Sequence, residues 1–110
     1  MSFEIELPDP DELLEDGSRQ LLERTYKRDG IWRVHLNDPD TVFPSDFHAH
    51  NQDAPQTLDV YTGEVYDPTT KRLVRTLRKK TMKYLHQQLS SSNEDALKLK
   101  CAQAHLFSFL

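Results

Sequence analysis

The chain has few of the residues that staple a fold or cradle a cofactor. Its one cysteine, Cys101, cannot close an internal disulfide, and without a Cys pair a structural zinc finger is excluded. Three glycines, Gly17, Gly30 and Gly63, cannot build a glycine-rich phosphate loop. Neither a G-x-S-x-G elbow nor a kinase-type motif is present. No stretch approaches the roughly 20 apolar residues that span a bilayer. The start, Met1-Ser2-Phe3-Glu4-Ile5-Glu6, lacks the basic beginning and apolar centre of a secretion signal. A reducing cytoplasm is therefore the expected compartment.

What is present suits one domain spanning 1–110, with residues 1–10 an acidic segment that could be loosely attached. A chain of 110 residues buries roughly two-thirds of its unfolded surface. Trp32, five Phe and four Tyr supply the anchors of a core. The net charge of −4 hides a strong asymmetry. Residues 1–16 hold seven acids and no base, and residues 71–83 hold seven bases and no acid. One end could neutralise the other, or the basic run could face a polyanion.

Glu4 to Leu7 alternates weakly and could be a short edge strand. Pro8-Asp9-Pro10 ends it, and Asp9 or Asp11 can cap a following helix. Leu13, Leu14, Leu21, Leu22 and Tyr26 recur at helical spacing, with a break at Gly17-Ser18 and a stop at Asp29-Gly30. Ile31 to Leu36 reads as a strand with Trp32, Val34 and Leu36 on one face and Arg33 and His35 on the other. After the turn Asn37-Asp38-Pro39-Asp40 comes a long loop, Thr41 to Gln56, of the length that commonly carries function.

Leu58 to Tyr66 is predicted as a hairpin around Thr62-Gly63, with Val60 opposite Val65. A strand from Arg72 to Leu77 follows, with Leu73 and Arg75 on one side. A helix from near Thr76 to Ser90 buries Leu77, Thr81, Tyr84, Leu85 and Leu89 and leaves Lys79, Lys83 and His86 outside. Ser91 and Glu94 have the spacing of a capping box for a last helix through Leu97, Cys101, Ala104 and Phe107. The pattern predicts an α+β fold: a small antiparallel sheet of strand, hairpin and strand, with helices at both chain ends packed on one face.

His48 and His50 are the sharpest chemical feature. Two positions apart in extended chain, their imidazoles point to one side. Histidine serves as base or acid near neutral pH, and metal-free RNA cleavage needs both roles together with cations for the phosphate. Arg75, Arg78, Lys79 and Lys83 are the candidate phosphate holders. No cofactor is implied. A metal site would draw on His48, His50, Asp46 and His35, with Asp53 also near, yet the H-x-H pair alone has no second half at ligand spacing. The ordinary alternative is a pair of surface histidines beside a solvated helix face.

Phe43-Pro44 and Phe47 read as loop anchors, or as platforms for bases. Asp59, Tyr61 and Tyr66 read as cross-strand packing residues, and Cys101 as a packed thiol. The layout of helix, small sheet, paired histidines and basic residues is similar to small bacterial ribonuclease toxins. Two functions are therefore in view. One is a domain that acts on or binds nucleic acid, RNA before DNA, as an endoribonuclease if it is an enzyme. The other is a non-catalytic interaction module, an immunity or adaptor protein, that engages a basic partner through residues 1–16.

Overall fold

The computed structural model describes residues 2–20, 28–36, 47–91 and 95–108. In chain order these form β1 (Ser2–Pro8), β2 (Arg28–Leu36), β3 (Phe47–Asn51), β4 (Thr57–Asp59), β5 (Glu64–Tyr66), β6 (Leu73–Thr76), α1 (Lys79–Ser90) and α2 (Asp95–Ser108). Among the described residues, the strands make one six-stranded antiparallel sheet whose spatial order follows the chain, so β1 and β6 are its edges. The fold is α+β.

Alternation decides which face the helices cover. Trp32, Val34, Phe47, Ala49, Leu58 and Val65 all point to one side and are fully buried. They pack with Leu85 and Leu89 of α1 and Leu97, Cys101 and Ala104 of α2 in a single core. Each large side chain buried in this way is worth about 1.5–3 kcal/mol. Arg33, His35, His48, His50, Thr57, Asp59, Glu64 and Tyr66 occupy the intervening positions and share the helix-free face. Among the described residues, no helix is long and apolar enough to cross a membrane.

The sheet is larger than expected, and several elements differ. His48 and His50 lie on β3, because residues 47–51 pair with β2 where the sequence suggested loop. The hairpin register differs by two: Leu58, not Val60, faces Val65. Asp59 explains the shift, since its carboxylate accepts from the Tyr61 amide at 2.9 Å and its carbonyl accepts from the Gly63 amide at 2.8 Å. These bonds close a longer turn, and a shift of two leaves every side chain on its expected face. In β6 both Leu73 and Val74 stand across from Tyr66, because the register shifts there. That bulge puts Leu73 and Arg75 on opposite faces, not on one side.

Both α-helices among the described residues follow the sheet; no α-helix forms over residues 9–20. Asp9 does cap, accepting from the Asp11 amide at 2.9 Å, but only for a 3-10 turn over Pro10–Glu12. Beyond it the chain doubles back, with Leu14 N–H donating to Ser18 O and a bridge between Leu13 and Arg19. The expected stop at Asp29-Gly30 lies inside β2. Residues 21–27, the turn 37–40 and the loop residues Phe43, Pro44 and Asp46 lie outside the described residues, as does Glu94 of the capping box. Ser91 instead closes α1, its hydroxyl donating to Gln87 O at 2.9 Å.

Two glycines hold turns that other residues would strain. Gly17 has φ of +87°, and a Cβ there would meet the Tyr84 backbone nitrogen at 2.8 Å. Gly63 has φ of +80°, as its hairpin position predicts, and a Cβ there would meet Met82 Sδ at 2.7 Å. Backbone cannot yield as a methionine tip can. Chemical denaturation should therefore show Gly17→Ala losing about 2 kcal/mol or more and Gly63→Ala about 1–2 kcal/mol. A Gly17→Ala protein as stable as the parent would show that the turn does not sit against α1 this closely.

Candidate functional site

The register of the central strands assembles the histidines. His35 on β2 stands directly opposite His48 on β3, and Arg33 opposite His50. The three imidazoles form a triangle: ring centroids are 5.4 Å apart for His35 and His48, 5.1 Å for His35 and His50, and 5.0 Å for His48 and His50. The first pair stacks and the other two meet edge to face. His48 and His50 thus converge, with a third ring between them that the alternation of β2 had already placed on this face.

Exposure divides their roles. His48 is fully buried, so it cannot meet a substrate directly, while His35 and His50 are half-buried. On its other side His48 is paired with Asp59, a buried carboxylate on β4. His50 Nδ1 lies 3.4 Å from the Thr57 hydroxyl, a contact that fixes the plane of the ring. Farther along the same row, Tyr66 stands opposite Thr57. Burial pushes its phenol above the ordinary tyrosine range, helped by the charge of Glu64, a hydrogen bond with Glu64, and the charge of Asp59. The phenol is therefore held as a neutral donor.

Arg33 is the cation opposite His50 on this face, where the alternation of β2 places it. Its guanidinium donates to Glu4 Oε1 at 3.0 Å, and both side chains are about half exposed. Such a pair is worth at most about 1 kcal/mol, so Glu4 can be displaced by a more highly charged anion.

The expected phosphate holders are elsewhere. Arg75 pairs with the core residue Val65 and so leaves the sheet on the helix-bearing face, three strands or about 14 Å from β3. Arg78 and Lys79 are exposed at the start of α1. Lys83 is turned to the acidic segment, its ammonium donating to Glu15 O at 3.0 Å. Asp46 lies outside the described residues. No group of three or more His, Cys, Asp and Glu among the described residues is arranged to hold a metal ion.

The acidic segment is built into the fold. Residues 2–8 pair along β2, and Glu12 is buried against Arg19 at 3.2 Å. Asp16 O accepts from Gln87 Nε2 at 2.9 Å, which with the Lys83 bond clamps the turn onto α1. The exposed Asp16 carboxyl is held below its usual range, chiefly by hydrogen bonds from Ser18.

Between this turn and the two helices lies an open cleft of about 690 Å³, lined by Asp16, Lys83, His86, Ser90 and Cys101. His86, expected on the outer face of α1, is buried, with Nε2 3.2 Å from Val60 O. The carbonyl requires that this nitrogen carry the proton. Cys101 is packed, as its helical spacing predicts, and its thiol donates to His86 O at 2.9 Å. Burial raises its pKa, with a hydrogen bond from Ser90 in partial opposition. Thiolate is the reactive form, so iodoacetamide at pH 7.5 should label Cys101 at least about tenfold faster in denaturant than in the native protein. Equal rates in the two states would place the thiol at the surface.

No family model, characterised protein or solved structure matches the chain.

Proposed function

We propose that this domain acts on RNA as a metal-independent, endoribonuclease-type enzyme, with His35 and His50 as the acid–base pair. The observation that carries the reading is the edge-to-face pair of half-buried imidazoles, 5.1 Å apart, with Arg33 beside them. In this reading one imidazole takes the proton of the ribose 2′-hydroxyl as its oxygen attacks phosphorus. The other protonates the 5′-oxygen as the P–O bond breaks, leaving a 2′,3′-cyclic phosphate and a free 5′-hydroxyl. Arg33 leaves Glu4 and holds the non-bridging oxygens. His48, backed by Asp59, positions both rings from below and is not itself a catalytic residue. A cytoplasmic location fits a substrate of this kind.

The pairing first suggested by the sequence, His48 with His50 and phosphate held by Arg75, Arg78, Lys79 and Lys83, is less well supported. Burial withdraws His48, and the sheet separates those cations from the rings. The interaction-module reading through residues 1–16 is weakened in the same way, since β1 and the clamped turn already use much of that segment.

Cleavage of a short single-stranded RNA in the presence of EDTA tests the proposal. His35→Gln and His50→Gln should each cost roughly 10²-fold or more in rate, and the double variant little beyond the worse single. Arg33→Gln should act mainly on KM. A 2′-deoxy substitution at the cleaved position should abolish the reaction. Wild-type protein that leaves RNA intact, or histidine variants that cleave at the parental rate, would overturn it.

A further inference from the structure

The basic run is the feature that the histidine face leaves over. It runs through β6, an edge of the sheet among the described residues. Leu73 and Val74 there are 54% and 51% exposed, large aliphatic side chains side by side because of the bulge opposite Tyr66. Arg72, Arg78 and Lys79 are exposed around them, and residues 68–93 contain no acid. The edge thus combines three things: backbone groups beyond the last strand, an aliphatic pair, and a cationic surround.

We infer that the outer edge of β6 docks an acidic, extended segment of a partner protein, which adds to the sheet as a further strand. Main-chain hydrogen bonds would supply affinity, and alternate side chains would supply specificity. Apolar residues of the segment cover Leu73 and Val74 while its carboxylates meet Arg72, Arg78 and Lys79. Nucleic acid suits this edge less well, because leucine and valine offer no aromatic face for a base to stack on. A second copy of β6 is repelled by the same cations, the usual protection of an edge strand. The chain's own acidic strand is also a poor occupant, since Glu4 and Glu6 already face Arg33 and Arg19 at 3.0 and 3.9 Å. The inference is independent of the reaction proposed for the histidine face.

The test is a titration of the full chain with a fluorescent octapeptide of alternating glutamate and valine at low salt. Saturable binding is expected. It should weaken roughly tenfold with Arg72→Glu and Arg78→Glu together, as for paired charges across an interface. Methylation of alternate backbone amides of the peptide should abolish binding and leaves the protein untouched, so misfolding cannot mimic this result. A lysine–valine peptide should not bind. Equal binding of the methylated or the lysine peptide, displacement of the acidic peptide by oligouridylate, or no saturable binding would each overturn the inference.

Discussion

The register between β2 and β3 is the constraint on which the remaining structure depends. Val34 stands opposite Ala49, and one position along the ladder His35 stands opposite His48. A slip of β3 by one residue would turn Phe47 and Ala49 away from the helices and bring His48 and His50 into the core. Each large apolar side chain exposed would forfeit about 1.5–3 kcal/mol, and each buried, uncompensated polar group would add a further penalty. Core packing therefore sets where the imidazoles sit.

A sheet with one apolar and one polar face commonly leaves the polar face in water. Here the middle of that face is buried: His48, Thr57 and Asp59 are all enclosed. Buried polar clusters are strongly stabilising only when their members satisfy one another, because the low local dielectric magnifies both gain and loss. Asp59 has two places in this arrangement. It terminates β4 through the Tyr61 amide and lies beside His48. The residue that shapes the hairpin thus also supplies the carboxylate of the histidine face.

The two charged ends of the chain have different fates. The acidic end becomes an edge strand and a turn clamped to α1, which takes Lys83 out of the basic run. The remaining cations gather at the opposite edge of the sheet, around exposed aliphatic residues. Complementary totals along the sequence do not become one neutralising contact, because the sheet order places β1 and β6 as far apart as its strands allow.

Local periodicity by itself determined much of this protein. It placed Trp32 and Val34 inside, set Arg33 and His35 on the opposite face, gave α1 its inner residues Leu85 and Leu89, and required positive φ at Gly63. Such features depend on steric rules within a few residues of each other. Only tertiary structure decided that residues 47–51 form a strand, since a five-residue segment with two histidines is not a strand until β2 and β4 pair with it. Pairing also brought His35 to His48, buried His48 and His86, and separated Arg75 from the histidines by the bulge at Val74. Residues near Leu13 carry helical spacing, yet Gly17 docks against α1 and the chain turns back, so a contact 67 residues away overrides local preference. Sequence spacing names the face on which a side chain lies; which distant face it meets is fixed by register, and register is a property of the whole sheet.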